Sequence, residues 1–372
     1  MKGYDRGIII ATFGLCIFGV IMVFSASSIY ALQEYGSKYY FVKRQVIYLI
    51  IGFISAAVAA VIDINIIRKY IWFLYGAIIL TLILVFVPHI GVVVSGSHRW
   101  IRLWHFSVQP SEFAKPVLIL LIAHVLDEKI QRANNPTPVL LPLVYTGIMS
   151  FFILLQPDFG SVIIIASVVF FILFLLGADI MTLVFAVVSV IPVAVMLVLH
   201  SSYRLNRIKG FLDPWEHSNT SGFQIIQSAI AYGSGGVTGV GLGNSFEKLF
   251  YLPEAHTDFI FSVIAEELGF IGVVIVVGVF IYLIHKMLSV GFRAEGVFTK
   301  ATVFGLTLFI ALQSIINIGV TLGLLPTKGL TIPFISYGGS SLVANLISIG
   351  IILNLTKRVN DGEDEVNYSR WG

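Results

Sequence analysis

Charge and cysteine are what this chain has least of. Only 12% of its 372 residues are Asp, Glu, Lys or Arg, against 57% hydrophobic residues and a mean hydropathy of +0.94. No water-facing surface of this size tolerates that balance, so the chain reads as a polytopic membrane protein. A lone cysteine, Cys16, excludes an internal disulfide and any cysteine metal cluster. The net charge of +3 is too small to argue for nucleic acid, and no basic run carries interleaved aromatics. The glycines between positions 233 and 243 contain neither G-x-x-x-x-G-K-S/T nor G-x-G-x-x-G, and no strand precedes them. They read as tight turns between surface helices, not as a nucleotide cradle.

What is abundant is long apolar sequence. A helical span needs about 20 mostly apolar residues. Such stretches lie near 8–28, 46–62, 71–88, 113–126, 139–155, 160–176, 180–199, 259–285, 298–322 and 337–356. They predict an all-α fold with ten transmembrane helices and a long extracytoplasmic loop, 200–257, between the seventh and eighth. Residues 1–358 form one membrane domain on this reading, and 359–372, with Asp361-Gly-Glu-Asp-Glu365, a polar cytoplasmic tail. Ser25-Ala26-Ser27 resembles a signal-peptide cleavage site, but the apolar stretch before it is long for one, so an uncleaved anchor is expected.

An even count puts both termini on one side. With them in the cytoplasm, Lys and Arg number roughly 12 inside and 11 outside. Long loops translocate regardless of charge, so Arg204, Arg207, Lys209 and Lys248 drop out, as does Lys115 inside a span. The remaining comparison, about 12 against 6, favours termini inside. The outer face is then unusually cationic, either a solvated rim or a site for an anionic substrate.

Among the carboxylates, Glu112, Glu266 and Glu267 fall within spans, and Glu112 has Lys115 one turn on as a pairing partner. That pair serves structure, or leaves a cation beside Arg99 and Arg102 to grip phosphate. The stretch 99–110 mixes aromatics and cations below spanning length and reads as an interfacial or re-entrant piece. Ser111 then caps a short helix. Residues 204–215 are basic and aromatic, suited to the membrane interface, and 222–232 are short and amphipathic.

The long loop closes on Lys248-Leu-Phe-Tyr-Leu-Pro-Glu254-Ala-His256-Thr-Asp258, bringing cation, aromatics and carboxylates to the mouth of one helix. A carboxylate at the membrane rim is costly, which makes Asp258 a candidate catalytic base; the alternative is a helix cap. His256 and Glu254 could join it around a divalent cation, Mg or Mn. Asn317 interrupts an apolar helix, and 326–341, rich in Pro, Gly and Ser and including Ser336, reads as an outer loop folded back over the core.

Residues 100–115, Gln156-Pro-Asp158-Phe-Gly160, Phe211-Leu-Asp-Pro-Trp215, 248–261 and 333–341 together resemble the SEDS family of shape, elongation, division and sporulation proteins. The forms at 249–258 and 328–339 are more similar to its division branch, or the sporulation relative, than to its elongation branch. The resemblance implies a ten-helix peptidoglycan glycosyltransferase that polymerises lipid II on the outer face of the bacterial cytoplasmic membrane. It places the family's essential carboxylate on Asp258 and its charged pair on Glu112 and Lys115. It also implies a class B penicillin-binding transpeptidase as partner, with other divisome or elongasome membrane proteins.

The residues suit that chemistry. Joining sugars from a lipid diphosphate requires a base for an acceptor hydroxyl and cations for the departing diphosphate. The expectation is a one-step inverting displacement with Asp258 as base. Substrate contacts are expected from Glu112, Lys115, Arg99, Lys248, Arg204, His256 and Ser336. Two rival readings are a transporter that flips a lipid-linked sugar and a non-catalytic scaffold that recruits a transpeptidase.

Overall fold

The computed structural model describes residues 3–94, 97–103, 106–133, 138–248, 252 and 254–363. Trp104, His105, the residues at 249–251, Pro253 and the tail from 364 onward, named above, lie outside the described residues.

The helices in chain order are α1 (Arg6–Tyr35), α2 (Tyr40–Val61), α3 (Ile64–Lys69), α4 (Ile71–Leu84), α5 (Pro110–Ala133), α6 (Leu140–Leu155) and α7 (Phe159–Leu175). They continue with α8 (Ile180–Leu199), α9 (Ser202–Leu212), α10 (Phe223–Gly235), α11 (Ile260–Arg293), α12 (Val297–Thr321) and α13 (Gly339–Asp361). Each expected span falls on one of these. Six, α1, α2, α8, α11, α12 and α13, are long and apolar enough to cross a membrane by length and composition. α4, α6 and α7 are shorter apolar helices, and α5 carries charge at both ends.

Aspartates start several of them. Asp5 accepts from the Gly7 and Ile8 amides, Asp158 from Ser161 and Asp179 from Thr182, each satisfying donors that a first turn leaves open. Large side chains point outward, with Phe73 72% and Phe185 75% exposed, as surfaces facing hydrocarbon must. Where helices meet, small residues let backbones approach: a Cβ on Gly350 would come within 2.3 Å of the Ala56 carbonyl, so α13 lies directly against α2.

Three expectations are corrected. Within the stretch 99–110, residues 99–103 and 106–108 belong to a three-stranded antiparallel meander, β1 (Gly91–Val94), β2 (Ser97–Leu103) and β3 (Phe106–Val108), paired Gly91 to Ile101 and Leu103 to Phe106. Ser111 does not cap a short helix: α5 runs 24 residues from Pro110, and the Ser111 hydroxyl donates to Asp158.

The third concerns 259–285, which is not one continuous helix. Gly269 (φ 64°, ψ −167°) breaks α11, and the glycine-rich stretch docks on the break. Val240 and Gly241 amides donate to the Glu266 and Glu267 carbonyls, and Phe270 and Ile271 amides donate to Gly236 and Val237, all within 2.9–3.2 Å. A broken helix inside a membrane bundle needs such replacement partners. The glycines are turns, as read, but they serve a helix interior.

Both described ends of the chain share one end of the bundle, where Asn360 donates to the Gly3 carbonyl at 2.7 Å. Asp258 lies toward the other, since the neighbouring His256 ring stacks on Tyr30 near the far end of α1. The 326–341 segment folds back on the bundle, with Leu330, Ile332, Phe334 and Ile335 buried.

Candidate active site

At the end of the bundle away from the termini, β2, the start of α7, α9 and the 326–330 loop enclose a cleft of about 260 Å³. Its walls carry Arg99, Arg204, Arg207 and Lys328. Arg99 Nε and Nη2 donate to the Gln156 and Pro157 carbonyls at 2.9 and 2.7 Å. Arg204 Nη1 donates to Leu197 O at 2.6 Å, with the guanidinium 5.5 Å above the Phe159 ring. Arg207 Nη1 donates to Thr327 O at 2.8 Å. Carbonyl oxygens thus orient the guanidinium groups, and these bonds do not cancel their charge. The Lys328 ammonium has no hydrogen-bond or ion-pair partner among the described residues, and burial lowers its pKa.

Asp258 borders this cleft. A Cβ built on Gly329, a lining residue, would sit 3.4 Å from Asp258 Oδ2. The carboxylate is not used for capping: α11 starts after Phe259, with no side-chain cap bond. Asp258 is only partly accessible, with packed protein around it. That desolvation, with repulsion from Glu254, pushes its pKa up to about 7 against the pull of Arg207 and Arg99. A base poised near neutrality is what proton abstraction requires.

The backbone here is held from α12. Asn317 Nδ2 donates to the Asp258 carbonyl at 2.8 Å and to the Leu330 carbonyl at 2.6 Å. Gln313 Nε2 reaches Thr331 O and Ser341 Oγ at 3.0 and 2.9 Å, fixing the same loop one turn further along.

The other residues expected at the site are distributed around it. Glu112 and Lys115 form a buried pair, 2.6 Å apart, with Lys115 Nζ 5.3 Å over the Phe309 ring. They lie in the helix whose start is tied to the cleft wall through Ser111 and Asp158. His256 packs among Tyr30, Phe41 and Tyr337, and burial lowers its pKa. The Ser336 hydroxyl accepts from the Ile332 amide and stitches a turn. Lys248 pairs with Glu267 at 2.7 Å beside the helix break.

The divalent-cation reading lacks a donor set. Among the described residues no group of three His, Cys, Asp or Glu side chains could hold a metal ion. Glu254 accepts from Thr257 Oγ1 at 2.8 Å, and His256 is enclosed by aromatic rings. No step below runs through a metal.

Sequence reasoning missed Arg207, Lys328 and the use of Asn317. Arg207 was legible, since it follows Arg204 by three residues and shares its helix face. Lys328 had no local pattern to betray it; only the fold brings it to the arginines.

The family model for FtsW, RodA and SpoVE, described as cell cycle protein, matches residues 6–361. A probable peptidoglycan glycosyltransferase FtsW of Coxiella burnetii is 44% identical, covering 95% of this chain and 96% of that one. Its counterpart in Trichlorobacter lovleyi is 42% identical, covering 95% and 93%. Among solved structures, a chain from a peptidoglycan synthase complex that coordinates polymerization and crosslinking superposes with TM-score 0.78 at 28% identity, over 96% of this chain and 99% of that one. The rod-shape-determining protein RodA of Thermus thermophilus gives TM-score 0.70 at 26% identity, over 95% and 97%.

Proposed function

The chain belongs to the FtsW, RodA and SpoVE family, the SEDS proteins, and we propose that this multi-pass inner-membrane protein is a peptidoglycan glycosyltransferase that polymerises lipid II. The observation that carries the reading is the Asp258 carboxylate beside a cleft lined by four cationic side chains. Similarity to FtsW proteins assigns the work to cell division.

Asp258 accepts the proton of the acceptor sugar's 4-hydroxyl as that oxygen attacks C1 of the donor. The bond from C1 to the phosphate oxygen breaks, its electron pair leaves with the lipid diphosphate, and configuration at C1 inverts. Arg99, Arg204, Arg207 and Lys328 neutralise the diphosphate as its charge grows, an effect strongest in a site that excludes bulk water. Glu112 and Lys115 hold the start of α5 beneath the cleft wall.

Donor and acceptor reach the site from the outer face if both termini are cytoplasmic, the orientation that the Lys and Arg distribution favours. The chain resembles a subunit of a complex coordinating polymerization and crosslinking. This supports a class B penicillin-binding transpeptidase as its partner. Purified protein given labelled lipid II, alone and with that transpeptidase under penicillin, should build glycan ladders on a gel. Movement of lipid II between leaflets of vesicles without polymer would replace this reading with transport.

A further inference from the structure

Asn317 lies on α12, one turn beyond Gln313, and is 1% exposed. Burying an amide is costly unless its polar atoms are paired, and here the pairing is one-sided. Nδ2 donates to two main-chain carbonyls, while Oδ1 has no partner among the described residues. The two carbonyls belong to adjoining segments at one edge of the cleft. One is that of Asp258, whose Oδ2 would lie 3.4 Å from a Cβ on the lining residue Gly329; the other is that of Leu330, a lining residue whose amide donates to the Lys328 carbonyl at 2.8 Å.

We infer that Asn317 is a positioning residue: its side-chain amide clasps the Asp258 and Leu330 carbonyls and so sets the spacing between the carboxylate and the Lys328 ammonium. The inference rests on the glycosyltransferase reading for its kinetic consequence but not for its structural one.

The groups that face the carboxylate are Glu254 on its own turn, Arg207 from α9 and Arg99 from β2, with Lys328 on the adjoining loop. Without the amide, two buried carbonyls lose their donors, and the turn carrying Asp258 gains freedom to move its carboxylate into water. A carboxylate better hydrated titrates at lower pH. A displacement of about 1 Å at a reacting group costs on the order of 100-fold in rate.

The test uses the full-length protein in detergent with Asn317→Ala, and with Asn317→Ser, which keeps one donor, should the alanine variant fold poorly. A hydrophobic carbodiimide modifies protonated carboxyl groups, and mass spectrometry of the labelled peptide reads the protonation of Asp258 against pH without any turnover. The wild-type midpoint should lie near 7, where burial and Glu254 hold it. The variant's should fall by about one pH unit or more. In the polymerisation assay kcat should drop by about tenfold or more while KM for lipid II changes by less than about threefold. An unchanged midpoint in a folded variant overturns the inference, as does a rise in KM with kcat intact. Wild-type protein that makes no polymer, with the labelling midpoint shifting as expected, overturns the glycosyltransferase reading and leaves the clasp standing.

Discussion

Lys248 Nζ lies 2.7 Å from Glu267 Oε1, and both side chains are buried beside the break in α11. Ser25 of α1 completes the group, its hydroxyl 2.6 and 2.7 Å from the two Glu267 oxygens with one proton shared between them, and accepting from Lys248 Nζ at 3.2 Å. The pair joins the end of the long loop to two helices. Removing one charge from such a pair strands the other without water, so Lys248→Met should cost about 3–5 kcal/mol of stability. The double variant Lys248→Met, Glu267→Gln should recover most of that loss. Thermal unfolding in detergent reads both. A Lys248→Met protein of unaltered stability with a raised KM would instead make this lysine a substrate contact.

Lys328 presents the opposite case. Burial lowers its pKa, so its charged form costs the fold, and stability from this group rises as pH climbs through that lowered value. Lys328→Met should therefore leave the melting temperature unchanged or raised near neutral pH. The same variant should weaken binding of a lipid diphosphate by about tenfold, the loss expected for one charge-assisted contact of about 1.4 kcal/mol. Binding of a non-hydrolysable lipid diphosphate by both proteins decides it.

Asp258 carries a pH signature of its own. Its folded pKa of about 7 lies above the ordinary 3.8, so the folded state binds this proton more tightly than the unfolded one. The stability it contributes is present at acid pH and lost as pH rises through 7. Asp258→Asn should then be more stable than wild type at pH 8, by about 2 kcal/mol after discounting for its partial exposure, and no more stable near pH 4. The wild-type rate should rise with pH along an acid limb near 7 and fall at high pH as Lys328 loses its proton, below the ordinary lysine range.

The break in α11 leaves no space for a side chain. A Cβ on Gly239, where φ is +80°, would come within 2.2 Å of the Glu267 carbonyl. Gly239→Ala should destabilise the protein by on the order of 2–4 kcal/mol, through both the clash and the backbone strain. Gly278→Ala, on the same helix with open space around it, serves as the control and should melt close to wild type.

The positions of these groups show what a sequence can carry. Apolar stretches mark the helices because a lipid-facing helix must be apolar along its whole length, and Asp258 stood out because a carboxylate at that border is costly. The break at Gly269 was not legible: it is completed by residues 236–241 some thirty residues away, whose amides and carbonyls replace lost helix bonds. Lys248 looked like any rim cation because its partner lies across that break. The meander of β1 to β3 escaped notice because strands of four, seven and three residues are too short for alternation to speak. Asn317 was visible as an anomaly in an apolar helix, but its two acceptors are backbone atoms, which have no signature in composition.

The most direct test compares wild type with Asp258→Asn for polymer from labelled lipid II, each with and without a class B transpeptidase and with penicillin present. The account predicts glycan ladders from wild type and a loss of about a hundredfold in rate from the variant, the size of a missing general base, with the variant folded and at least as stable at pH 8. Ladders of normal yield from Asp258→Asn would contradict it and remove this carboxylate from the chemistry.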